Sequence, residues 1–187
     1  MCALNRYYWP NKYSSRRETM QAGVKCIFIS HQKADKESAK KIANYLIAAG
    51  VDVYLDEYDT DLKTHHQSNN PKGVTDSICK GINNSSHMLV LISPNTMKST
   101  WVPFEIGYGY DKTDLNVLCL KGIPVGGLPE YVRAVKIIRD IYDLNSYISN
   151  FTGISKDNLL ESKKLFDSKG DSNPLYTIMD SLIIEKY

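Results

Sequence analysis

The fold class predicted by this 187-residue sequence is a five-stranded parallel sheet wound on both faces by helices. Two observations carry that expectation. Short runs rich in Val, Ile and Leu recur along the chain, and they are continuously apolar, as strands covered on both faces are. Stretches with apolar residues at helical spacing separate them, and strands alternating with helices mean a parallel sheet. Five such units predict a flavodoxin-like doubly wound sheet with strand order 2-1-3-4-5.

Each element has its own justification. Residues 1–22 form a polar, aromatic-rich arm. "VKCIFIS" (24–30) is a short apolar, β-branched run and predicts the first strand. Asp35 then offers a helix N-cap, Ala39, Ile42, Ala43 and Leu46 mark one helical face, and Gly50 stops the helix. "VDVYLD" (51–56) is the second strand, and residues 57–73 are a polar loop without periodicity. That loop exceeds the usual length in a compact domain, and it is expected to be poorly ordered without ligand. Val74, Ile78 and Ile82 mark a short helix, and "HMLVLIS" (87–93) is the third strand. "STWVPFEIGYG" (99–109) reads as a helix with Pro103 in its first turn. "NVLCL" (116–120) and "AVKII" (134–138) are the last two strands, joined by the Gly/Pro-rich "GIPVGGLP". Beyond them lie "DIYDLNSYISN", "KDNLLESKKLF" and a last helix expected from Pro174, with Leu175, Ile178, Met179, Leu182 and Ile183 on one stripe. The domain plan is an arm at 1–22, a domain at 23–150 and a C-terminal helical extension at 151–187 packed on it.

The totals narrow the function classes. Hydrophobic residues make up 42% and charged residues 24% of the chain, ordinary values for a soluble globular protein. With 23 basic against 21 acidic residues the formal charge is +2, which argues against a dedicated polyanion binder. No apolar run approaches a membrane span, and no signal peptide is evident. The four cysteines lack CxxC spacing, and they read as buried thiols in a cytoplasmic protein. "NRYYWPNKYSSRR" mixes aromatic and basic residues and could stack on nucleic acid; an arm packed on its own domain or on a neighbour is the preferred reading. His65-His66 lacks a third ligand at helical spacing, so no metal is expected. Without GxGxxG or a Walker motif, dinucleotide-oxidoreductase and NTPase readings have no support.

One residue breaks the pattern. With about 100° per residue and Trp101 at the origin, Phe104 and Tyr108 fall roughly 60° and 20° to one side. Val102 and Ile106 fall roughly 100° and 140° to the other, which leaves Glu105 near 40°, inside the apolar arc. An inward carboxylate is costly unless it is hydrogen-bonded, paired or lining a cavity. In a 2-1-3-4-5 sheet the ligand crevice lies beyond the C-terminal ends of strands one and three. Those ends are "ISHQ" (29–32) and "ISPN" (92–95), and the helix carrying Glu105 starts just after the second.

These residues carry a resemblance. "CIFISHQKAD", "GVDVYLDE" and "MLVLISPNTMKSTWVPFEIG" resemble the first strand, the second strand with its BB loop, and the third strand with its αC helix in Toll/interleukin-1 receptor (TIR) domains. The Ser, Trp and Glu of the family's "S…W…E" pattern are present, and the bacterial, NAD-consuming branch is the most similar. The loop 57–73 departs from the family form, being longer and more polar, with "NPKG" (70–73) in place of Arg-Asp…Pro-Gly. The arm before residue 23 and the helices after about residue 155 lie outside the resemblance.

The resemblance implies that Glu105 is the catalytic glutamate of an NAD+ glycohydrolase, with NAD+ as substrate and no resident cofactor. The chemistry agrees. Cleavage at ribose C1′ passes through an oxocarbenium-like state, and nicotinamide leaves as a neutral molecule, so no paired general acid is needed. One carboxylate facing the developing positive charge suffices. Around it, Trp101 and Tyr108 read either as an aromatic wall for nicotinamide or ribose or as core anchors. Ser30 and His31, at the end of the first strand, are candidates for hydrogen bonds to the substrate, with a plain loop histidine the alternative for His31. Ser93 would bond substrate or cap its turn. Asp56 would contact the ligand or orient the loop, and Lys72 would meet the NAD+ diphosphate or stay solvated.

Cleavage of NAD+ to nicotinamide and ADP-ribose, or to a cyclic isomer that acts as a signal, is the first function read here, with bacterial antiphage defence as the implied setting. The second is a non-catalytic scaffold that works by homotypic TIR–TIR docking. A third, nucleoside deoxyribosyl transfer with Glu105 as a covalent nucleophile, shares the architecture. The expected partners are NAD+, further copies of the chain through TIR–TIR contacts, and a downstream effector that responds to a nucleotide product. No membrane or nucleic-acid partner is expected.

Overall fold

The structure is a computed structural model that describes residues 3–8, 16–23, 25–55, 70–124, 126–169 and 172–183. Among these residues the strands are β1 (Cys26–Ser30), β2 (Asp52–Tyr54), β3 (His87–Ile92), β4 (Asp114–Cys119) and β5 (Lys136–Ile138). The helices are α1 (Arg16–Gln21), α2 (Lys36–Ala48), α3 (Pro71–Asn83), α4 (Trp101–Tyr110), α5 (Ile141–Thr152) and α6 (Lys156–Glu161). All strand pairs are parallel, and the order is β2-β1-β3-β4-β5. The expected topology is therefore the one found.

The side chains of each strand divide by parity, as a period of two requires. Ile27, Ile29, Leu89, Leu91 and Leu118 face one core, shared with Ile42 and Leu46 of α2 and Leu144 and Ile148 of α5. Cys26, Phe28, Met88, Val90, Ile92 and Val117 face the other, shared with Val74, Ile78 and Ile82 of α3 and Val102 and Ile106 of α4. Both faces are filled, so β1 has no exposed position, and its continuously apolar sequence follows.

The edge strand β2 is covered by the arm. Val53 N donates to Leu4 O at 3.1 Å, Asn5 bridges Val53, and Arg6 Nε pairs with Asp52 Oδ2 at 2.7 Å. The arm thus occupies hydrogen-bonding groups that an open edge would present to other chains. Residues 9–15 of the aromatic-basic stretch lie outside the described residues.

Two expectations about boundaries are corrected. Residues 70–73, expected in the loop, start α3: Asn70 Oδ1 accepts from Gly73 N at 3.0 Å, and Pro71 occupies the first turn, where its missing N–H costs nothing. The rest of that loop, with Asp56 and His65-His66, lies outside the described residues, and so does the expectation about its order. The helix expected from Pro174 is a set of turns. Two of its carbonyls serve the end of the sheet where a helix would have used them in its own ladder. Ile178 O accepts from Lys121 N at 2.9 Å, and Asp180 O accepts from Ile141 N at 2.9 Å. Leu175 and Met179 are buried in the α2/α5 core and Ile178 packs against it, but Leu182 is exposed. Tertiary hydrogen bonds thus prevailed over local periodicity and kept only part of the expected stripe inside.

Among the described residues no helix is long and apolar enough to cross a membrane.

Candidate functional site

α4 buries Val102, Glu105, Ile106 and Gly109, a stripe at i, i+3, i+4 and i+7. Glu105 is 8% exposed. Trp101, half-buried, and Phe104, exposed, flank that stripe, so the buried arc is centred on Val102 rather than on Trp101. The helix starts directly beyond β3, where Ser99 Oγ accepts from Val102 N at 3.2 Å.

Parity explains the partner of Glu105. Ser30 continues the Cys26–Phe28 face of β1, which looks toward α3 and α4. Its Oγ donates to Glu105 Oε2. Burial pushes the Glu105 carboxyl up from 4.5 to about 7, with the Ser30 hydrogen bond pulling the other way. Near neutral pH the group is poised between its two states, as working carboxyls in active sites often are. Ser30→Ala is expected to raise that pKa further, seen as an upward move of the Glu105 titration midpoint by carboxyl 13C NMR. An unmoved midpoint would mean that the hydroxyl does not bond the carboxylate in solution.

The same parity sends Ser93, which follows Leu89 and Leu91, toward the α2 face. There it meets Asp35, 7% exposed, whose place in the sequence predicts only a helix cap. Asp35 precedes α2 but makes no side-chain cap hydrogen bond. Its Oδ2 accepts from Ser93 Oγ at 2.5 Å and its Oδ1 from Asn95 Nδ2 at 2.9 Å. Ser93 Oγ in turn accepts from Asn95 N at 3.0 Å and Thr96 N at 3.3 Å. The signal that could have found this pair is the odd-numbered place of Ser93 in its strand, which aims it at the helix that Asp35 begins.

The other candidates are spread over more of the molecule. His31 is half-buried just past β1, with Nδ1 3.4 Å from Ile29 O. Trp101 packs on the α3/α4 core and meets Phe104 edge-on, with ring centroids 6.0 Å apart. Tyr108 lies one turn further down α4, toward the N-terminal ends of the strands. There its hydroxyl exchanges hydrogen bonds with Asn83 at 3.1 and 3.2 Å, and Lys112 Nζ sits 4.1 Å from its ring. Lys72 is exposed in the first turn of α3, at the crevice end of the sheet. The structure therefore brings Ser30 and Glu105 together, places Ser93 with Asp35 on the other face of the sheet, and turns Tyr108 away. Asp56 lies outside the described residues.

The family described as TIR domain (TIR_2) matches residues 27–136, more than half of the 187 residues. The chain belongs to the TIR domain family. Among solved structures, this TIR domain is similar to a metazoan TIR-STING receptor from C. gigas. The match has 22% identity and a TM-score of 0.49, covering 73% of this chain and 42% of that one. The same receptor in complex with 2′,3′-cGAMP matches at 22% identity and a TM-score of 0.45, covering 60% and 34%. The chain thus spans less than half the length of those receptors. No curated protein matches the sequence.

Proposed function

We propose that this TIR domain cleaves the bond between nicotinamide and ribose in NAD+. The products would be nicotinamide and either ADP-ribose or a cyclic ADP-ribose isomer. The family includes NAD-cleaving enzymes. The observation that carries the reading is the Glu105 carboxylate, buried at the C-terminal end of β1 and hydrogen-bonded by Ser30. In its ionised form it would face the positive charge that develops on the ribose as nicotinamide departs. A scaffold that only docks has no such use for a buried carboxylate. NAD+ enters as substrate, with no resident cofactor in the scheme. The setting proposed is cytoplasmic antiphage signalling in bacteria, on the strength of the "MLVLISPNTMKSTWVPFEIG" resemblance.

Mass spectrometry of NAD+ incubated with the purified protein tests the proposal. Nicotinamide is expected together with a linear or cyclic ADP-ribose product, and unchanged NAD+ would overturn it. The active form is the carboxylate, and its pKa in the free protein is about 7. kcat/KM is therefore expected to climb with pH and level off above that value.

Assembly is part of the proposal. TIR–TIR contacts in which a neighbour's BB loop closes the crevice would make only the associated form competent, so specific activity is expected to rise with protein concentration. Constant specific activity over roughly a hundredfold dilution, from a protein that sediments as a monomer, would show that one chain suffices.

A further inference from the structure

We propose that Asp35 is a positioning residue for Glu105: its carboxylate ties the turn after β3 to the turn after β1, and that tie holds Glu105 against Ser30. The proposal rests on the reading of Glu105 given above.

The connections form a closed ring. From Ser30 the chain runs through a short turn in which Asp35 N donates to Gln32 O at 2.8 Å and the Gln32 side chain accepts from Ala34 N. Asp35 then crosses to Ser93 and Asn95. From there the path to α4 is held at each step. Thr96 Oγ1 donates to Leu91 O at 3.0 Å and accepts from Ser93 N at 3.0 Å. Lys98 N donates to Asn95 O at 3.0 Å, and Ser99 N donates to Thr96 O at 2.9 Å before its hydroxyl meets Val102 N. One turn into α4, Glu105 returns to Ser30 and closes the ring.

Asp35 is the point where the ring is held by side chains across two turns 58 residues apart in sequence. Its carboxylate leaves the local helix-cap role unfilled and is nearly buried, an arrangement that costs free energy unless the long-range bonds are made. Cutting the tie frees the 93–100 segment to shift, and with it the start of α4. A misplacement of about 1 Å at a reacting group can cost on the order of a hundredfold in rate.

The test uses the full chain with three variants: D35A, D35N and the exchange D35N/N95D. D35A is expected to lower kcat for nicotinamide release roughly ten- to hundredfold while KM changes less than about threefold, because Asp35 does not touch substrate. D35N/N95D restores a carboxylate–amide pair across the same gap and is expected to recover part of that loss. In protein without NAD+, the Glu105 carboxyl 13C resonance is expected to move in D35A and to return toward its wild-type position in D35N/N95D.

A raised KM with unchanged kcat would overturn the proposal by making Asp35 a substrate contact. A folded D35A whose Glu105 resonance stays in place would overturn it as well, whatever happens to its melting temperature. Should D35A fail to fold, D35N supplies the same comparison with side-chain size kept. If the wild-type protein releases no nicotinamide, the proposed function fails, while the resonance still decides whether Asp35 holds the Ser30–Glu105 pair.

Discussion

Glu105→Gln is expected to stop nicotinamide release while the protein stays folded. Gln keeps the size of the side chain and can still accept from Ser30 Oγ, but it cannot carry the charge that would face the oxocarbenium-like state. Loss of a preorganised electrostatic partner costs about a hundredfold or more in kcat. Burial raises the Glu105 carboxyl from 4.5 to about 7, so the folded chain holds that proton more tightly than the unfolded chain. Its effect on stability is present as a loss once pH climbs through this window, on the order of 3 kcal/mol when the group is fully ionised. The neutral variant escapes that loss. It is expected to melt at or above the wild-type temperature at pH 8, with the difference shrinking toward pH 5. Turnover in the variant within tenfold of wild type would falsify the catalytic assignment. A melting temperature lower by many degrees would make Glu105 a structural anchor.

Gly81→Ala carries the second large effect, on stability. Gly81 lies in α3, and a Cβ there would come within 2.7 Å of Phe28 Cε2 and 2.8 Å of Tyr54 Cε1. The two rings are stacked on each other, with centroids 5.9 Å apart on neighbouring strands, so neither has an easy way out. α3 would have to lift from the sheet, at a cost of about 1–3 kcal/mol for an overpacked core. For a chain of this size that lowers the melting temperature by roughly 2–4 °C per kcal/mol. A variant that melts within a degree of wild type would show that the contact between α3 and β1 gives way more easily than its geometry suggests.

Much of the fold was legible because its signals are local. The apolar runs within 24–30 and 87–93 announced central strands, since a strand covered on both faces leaves little room for a polar residue without a buried partner. The face Ala39, Ile42, Ala43 and Leu46 announced α2 for the same kind of reason, and all four are buried. Glu105 stood out because helical geometry places it among apolar neighbours, and burial follows from that placement alone. The TIR resemblance added an expected role, though not the partner that holds the side chain.

Hydrogen bonds between residues distant in sequence decided the rest. Asp35 carries every local mark of a helix cap, yet its carboxylate goes to Ser93 and Asn95, which pass it only once β1 and β3 lie side by side. Pro174 and the stripe after it carry the marks of a helix, yet the carbonyls of Ile178 and Asp180 are taken by Lys121 and Ile141 at the end of the sheet. Tyr108 shares an arc with Glu105 in sequence, but its hydroxyl follows Asn83 toward the opposite end of the sheet. Periodicity in the sequence thus determined the five strands, the helices between them and most of their buried faces. Only the assembled sheet could decide which buried polar group meets which, because a hydrogen bond depends on distances of a few ångströms that no local pattern sets.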